Sequence, residues 1–209
     1  IMNTGDTPVI SKNKMLTTIG YQLDGKVVYA LEGSVFIAGA VVQWLRDQLQ
    51  IITNASEIEA LAETEETNGG VTFIPALAGL GAPYWDSEAT GSILGITRGT
   101  NKGHIARAAI EAIALRVMEI VTEMQKDANT TFKSLKVDGG ASTNNLLMQI
   151  QADLLEAEVI RPQTTETTAL GAAFFAGLAT GYWESVHSLK TLWAVDQKFT
   201  PNADSDTQK

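Results

Sequence analysis

Between Phe132 and Gly181 the chain is confined to one kind of fold. Phe132–Val137 is a β-prone run and Asn144–Leu155 has helical spacing. Glu158–Arg161 is a second β-prone run, closed by Pro162, and Thr168–Ala179 is a helix stopped by Gly181. Strand, helix, strand, helix with short connections predicts a βαβ unit, in which the two strands lie parallel and the crossover is right-handed.

The front of the chain adds an antiparallel element. Leu16–Gln22 and Val27–Leu31 are β-prone and joined at Asp24-Gly25, a strong hairpin signal because both turn residues tolerate positive φ. Ser34–Leu49 has apolar residues at helical spacing, and a short acidic helix is expected near Glu57–Leu61. Val71–Pro75 and Ser92–Thr97 read as strands around a glycine- and aromatic-rich loop, Gly79–Asp86. Lys102–Lys126 is a long amphipathic helix with Ile105, Ala109, Ile113, Val117, Ile120 and Met124 on one stripe. A hairpin, a helix and then alternating strands and helices is similar to the order of actin-like, ribonuclease H-like folds. The expected class is therefore α/β: an actin-like ATPase (ribonuclease H-like) domain with a mixed sheet and helices on both faces. One domain is expected over residues 1–200, followed by a disordered polar tail over 201–209.

Composition excludes several chemistries. The chain has no cysteine, which removes disulfides, thiolate nucleophiles and cysteine-ligated zinc. The net charge of −9 and the absence of a Lys/Arg cluster argue against a nucleic-acid partner. No run of roughly 18 apolar residues suggests a membrane span, and Ile1–Gly5 has no signal-peptide character. A cytoplasmic protein without a membrane partner is expected. An acidic chain can still hold ATP, because a phosphate site can be made of backbone N–H groups.

The sharpest local pattern is Val137-Asp-Gly-Gly-Ala-Ser-Thr-Asn-Asn145 between a strand and a helix. Two glycines let a ligand approach bare backbone, and the helix start presents unpaired N–H groups. Asn144 is placed in the first helical turn, where its amide can reach a phosphate or ribose oxygen. The competing reading is a plain β–α turn capped by Ser142 or Thr143. The pattern lacks the Lys-Ser/Thr of a P-loop and the third glycine of a dinucleotide fingerprint. A second pattern, Ala38-Gly-Ala-Val-Val-Gln43, places Gly39 and Gln43 on one helix face. They suit either a ligand or an ordinary helix–helix contact.

A third stretch runs Gly91-Ser-Ile-Leu-Gly-Ile96, seven residues, then His104–Glu111. It resembles one of the two signatures of the FGGY carbohydrate kinases. Gly79–Asp86, followed by Thr97-Arg98-Gly99, resembles the glycerol kinases within that family. Asn3-Thr4-Gly5, Leu16–Ile19, Leu31-Glu32-Gly33, Asp138–Ala141 and Ala169–Ala173 follow in the family's order. The resemblance spans Ile1 to about Pro201.

The resemblance implies an ATP-dependent kinase that phosphorylates glycerol, giving glycerol 3-phosphate and ADP, with Mg²⁺ carried on the nucleotide. It places Gly39, Gln43, Gly140 and Asn144 at the adenine nucleotide. It places the catalytic aspartate, a Gly-Thr-Gly phosphate loop and the glycerol-holding residues upstream of Ile1, so that no catalytic residue is expected here. The final helix is expected to be cut after Asp206, and the isolated chain to be inactive. Glycerol would be reached through an N-terminal domain, and the whole enzyme is expected to be a homo-oligomer. Asp138 and Asp86 are read as structural, and His104 and His187 as helix residues without metal-ligand partners. The alternatives are another polyol or sugar kinase of the same family, or a non-catalytic interaction module built on apolar helices such as Ala169–Ala179, whose ordinary explanation is core burial.

Overall fold

The computed structural model of the chain describes residues 1–202. Most of the tail expected over 201–209 thus lies outside the described residues. The chain forms two compact units, the first spanning Ile1–Phe132 and the second beginning at Lys133. Among the described residues no helix is long and apolar enough to cross a membrane.

In the first unit, β1 (Met2–Gly5), β2 (Leu16–Leu23) and β3 (Lys26–Glu32) form an antiparallel sheet in the order β1-β3-β2. The hairpin turns at Asp24 (φ 50°) and Gly25 (φ 78°), as the sequence predicts. The helix predicted over Ser34–Leu49 is shorter: α1 spans Gly39–Asp47. Its start is displaced because the Ser34 carbonyl accepts the Ala82 N–H at 3.0 Å, which ties Ser34 to the aromatic loop instead of a helical turn. Then come α2 (Glu57–Ala62), the antiparallel pair β4 (Thr72–Ile74) and β5 (Ser92–Leu94), and α3 (Lys102–Ala128).

The 27-residue α3 starts at a capping box. Asn101 accepts the Gly103 and His104 N–H groups, and His104 Nδ1 accepts the Asn101 N–H in return. The helix ends at Asn129 in the left-handed region. Its inner face joins Met15, Leu31, Ala82, Ile120 and Met124 in one core cluster. Gly33 lets the helix come that close, since a Cβ there would lie 2.3 Å from Ile120 Cγ2. The Gly79–Asp86 loop is locked by paired Leu80–Asp86 backbone hydrogen bonds and by buried Arg116, which donates to the Ala82 carbonyl at 2.7 Å and to Glu119. Asp86 accepts the N–H groups of Glu88 and Ala89, the turn role expected of it.

The second unit contains β6 (Ser134–Lys136), a 3₁₀ turn (Gly140–Thr143), α4 (Asn145–Leu155), β7 (Glu158–Pro162), α5 (Thr167–Ala179), α6 (Val186–Leu189) and β8 (Val195–Phe199). β6 and β7 are parallel, as the βαβ pattern requires, and β8 joins β7 antiparallel to give a mixed sheet ordered β6-β7-β8. α4 buries Leu147, Met148, Ile150 and Ala152. The buried Asp153 carboxylate accepts Gln149 Nε2 at 2.9 Å and the Asn202 N–H at 2.8 Å. α5 departs from the core burial expected of it: Gly177 is its one buried residue, set against the Trp183 ring, and Phe175 is 45% exposed.

Candidate functional site

β6 delivers the chain into the Asp138–Asn144 segment, and the paired glycines decide its shape. Gly139 sits at φ 76°, ψ 172°, a conformation suited to a residue without a side chain. A Cβ added at Gly139 or Gly140 would meet nothing within 4 Å, so the main chain there is open to approach. Gly139 N–H donates to the Thr165 carbonyl at 2.8 Å, which anchors the turn to the segment before α5. The chain then tightens into the 3₁₀ turn, where Ser142 Oγ donates to the Gly139 carbonyl at 2.7 Å and Thr143 Oγ1 to the Gly140 carbonyl at 2.8 Å.

This differs in two ways from what the sequence suggests. The helix does not follow the glycines directly; a full 3₁₀ turn intervenes. Asn144 is not in the first helical turn but is the N-cap of α4, with Oδ1 accepting the Leu147 N–H at 2.7 Å. Asn144, not Ser142 or Thr143, therefore caps the helix. With Oδ1 committed to the cap, the group Asn144 can offer a ligand is its Nδ2 donor.

Asp138 turns its carboxylate to the Thr167 hydroxyl, which donates to Oδ2. The bond ties the turn to the start of α5, the structural role expected of Asp138. Next to it a cavity of about 310 Å³ opens between α5 and the sheet, lined among others by Lys136, Asp138, Thr167, Phe174 and Trp193. Lys136 Nζ lies 4.3 Å from the centre of the Trp193 ring.

Gly39 and Gln43 lie in the first unit. Gly39 is the first residue of α1, after Ala38, which supplies no side-chain cap. Gly39 is half-buried and Gln43, one turn on, is exposed, while Val41 and Leu45 of the same helix point into the core. The structure thus places Gly140 and Asn144 in one turn and Gly39 and Gln43 on one helix, in separate compact units.

Sequence reading missed Arg161. This β7 residue is 9% exposed and donates through Nη1 to the Ser142 carbonyl at 2.8 Å and to Asn145 Oδ1 at 3.0 Å. The available signal was a charged residue inside Glu158-Val-Ile-Arg-Pro162, a run otherwise suited to burial. His104 and His187 fall in α3 and α6. Among the described residues no group of three or more His, Cys, Asp or Glu could hold a metal ion. The arrangement around Gly139–Asn144 is suited to binding: open main chain, a helix start and an amide donor, with its carboxylate already engaged by Thr167.

Residues 1–180 match the profile of the C-terminal domain of the FGGY family of carbohydrate kinases. The chain is 59% identical over 201 residues to a glycerol kinase of Deinococcus radiodurans, covering 96% of this chain and 40% of that protein. It is 55% identical over 206 residues to a glycerol kinase of Burkholderia pseudomallei, covering 99% and 41%. Among solved structures, Plasmodium falciparum glycerol kinase with ADP superposes with a TM-score of 0.88 at 38% identity, over 99% of this chain and 41% of that one. A ligand-bound xylulose kinase from Lactobacillus acidophilus gives 0.80 at 26% identity, over 95% and 40%. The chain spans about two-fifths of the length of these relatives. The α/β class, with its actin-like ATPase order, holds. This chain belongs to the FGGY family of carbohydrate kinases and corresponds to their C-terminal domain.

Proposed function

We propose that the chain is the nucleotide-holding C-terminal part of a glycerol kinase, an enzyme that transfers the γ-phosphoryl group of ATP to a hydroxyl of glycerol. The observation that carries the reading is the open main chain at Gly139–Gly140, at the head of a turn leading into α4. Gly140 would meet the phosphates through its backbone, and Asn144 would add Nδ2 as a donor. In the first unit, Gly39 would offer backbone and Gln43 its amide to an adenine nucleotide. Identity to glycerol kinases at 55–59%, against 26% to the xylulose kinase, supports glycerol over a sugar as acceptor.

Phosphoryl transfer depends on alignment and charge neutralisation more than on covalent work by the protein. This part would hold the adenosine and inner phosphates still, while the rest of the protein presents glycerol and the base that takes its proton. Among the described residues no group of three or more His, Cys, Asp or Glu forms a metal cage; Mg²⁺ would arrive bound to the ATP phosphates. The isolated chain would bind nucleotide weakly and turn over nothing.

The test is an amide NMR titration of the 209-residue chain with ADP up to millimolar concentration. Shifts at Gly140 and Asn144 are expected, and Gly140→Leu, which fills open space, should abolish them while leaving the remaining spectrum folded. A titration that moves neither amide sinks the assignment.

A further inference from the structure

We propose that Arg161 is the positioning residue of the glycine turn: its guanidinium clamps the 3₁₀ segment onto β8 and so holds the Gly139–Gly140 backbone ready for a nucleotide. The inference rests on the nucleotide reading above and adds to it a residue that touches no ligand.

Arg161 pairs with Gln197 across the β7–β8 ladder. From there its planar head reaches in two directions. Toward β8, Nε donates to Asp196 Oδ2 at 2.7 Å and Nη2 to Gln197 Oε1 at 3.0 Å. Toward the turn, Nη1 donates to the Ser142 carbonyl at 2.8 Å and to Asn145 Oδ1 at 3.0 Å. The Phe199 ring lies 5.4 Å from Cζ and covers one side.

A charge buried this far is stable only when paired and fully hydrogen-bonded. Asp196 supplies the opposite charge, and the other three acceptors are neutral oxygens fixed by β8, the turn and the start of α4. The dependence runs both ways. Ser142 is 2% exposed, so its carbonyl relies on Arg161 and not on water. Gly139 and Gly140 carry no side chains to restrain them, and glycine has the largest conformational freedom to lose. The turn would otherwise sample many shapes, and a ligand would have to order it on binding. Ties from outside the turn restrict it, among them Gly139 N–H to Thr165, the Thr167 hydroxyl to Asp138 and Arg161 to Ser142. Arg161 is the tie that also reaches the first residue of α4. Only a rigid fork can serve Asp196, Ser142 and Asn145 at once; a lysine ammonium is a single point and cannot span them.

The experiment compares the 209-residue chain with Arg161→Met, Arg161→Lys and Asp196→Ala, reading ADP affinity by titration and amide hydrogen exchange residue by residue. Arg161→Met should weaken ADP binding by about tenfold and speed exchange at Leu147 and Gly139, with α3 amides unchanged. Arg161→Lys should keep fold and charge yet recover only part of the affinity. If Arg161→Met does not fold, Asp196→Ala, which removes a half-exposed partner, carries the test and should show the same local pattern at smaller amplitude. Wild-type affinity together with wild-type exchange in the folded variant overturns the proposal. So does faster exchange spread evenly over α4 and the sheet, which would mark a merely structural residue. Absence of ADP binding in the unsubstituted chain defeats the nucleotide reading itself, a failure visible before any variant is made.

Discussion

At the scale of single residues, two positions separate folding from binding. Asn144 serves both, and its two ends can be tested apart. Asn144→Ala loses the cap and should cost about 1 kcal/mol along with ADP affinity. Asn144→Asp keeps an oxygen on the Leu147 N–H and suits the helix dipole, so stability should hold or rise. It also replaces the Nδ2 donor with a negative charge, so ADP binding should still be lost. Thermal melts beside ADP titrations read the two effects. Gly33→Ala is the packing counterpart: its methyl would press on Ile120, Met124 and Met15, and the expected cost is about 1–3 kcal/mol, measurable by urea unfolding. The open turn at Gly139–Gly140 was legible in the sequence because paired glycines between a strand and a helix leave main chain uncovered. Arg161 was not, because its role lies in partners 16 to 36 residues distant along the chain. Asn144 was half legible: its type suits a cap as well as a ligand, and spacing alone does not choose.

Elements were readable where local chemistry dictates them. The β2–β3 hairpin followed from Asp24-Gly25, and α3 from its apolar stripe. Its capping box predicts that Asn101→Ala will cost about 1 kcal/mol, seen as faster exchange in the first turn. β8 escaped notice because four of its five residues are exposed and only Phe199 is buried. The start of α1 was misplaced because a tertiary hydrogen bond overrides helical spacing at Ser34. Near the far end of α3, Asp127 gathers the preceding segment, accepting the Ser11 hydroxyl, the Lys12 N–H at 2.8 Å and both nitrogens of Asn13. Burial alone would push its carboxyl up, but these hydrogen bonds outweigh it and hold the group below the usual aspartate range. A depressed folded pKa stabilises above the unfolded value, and that contribution is lost as pH falls through the folded one. Asp127→Asn should therefore lower the melting temperature at neutral pH. The gap from wild type should close in strong acid, below the ordinary aspartate range; a gap independent of pH would contradict the assignment.

At the scale of the whole molecule, each unit has its own three-stranded sheet: α4 packs on β7 and β8 in the second, and α3 meets the first through Leu31. Hydrogen exchange across a urea series should then resolve two cooperative groups, α3 amides following one isotherm and α4 amides another. Coincident isotherms would show a single cooperative block. Repulsion between nucleotide and a chain of net charge −9 also predicts that the on-rate for ADP rises with salt, measurable by stopped flow. The notch at Gly33 has a bearing on how sequences of this kind can vary in length. Ile120 and Met124, the nineteenth and twenty-third residues of the 27-residue rod, occupy it. A single-residue insertion upstream of Ile120 would rotate the preceding turns by roughly 100° relative to that fixed point, swinging buried alanines outward. Insertions and deletions should be tolerated in the surface connections and purged from this rod, which acts as an indexing pin for everything wound around it.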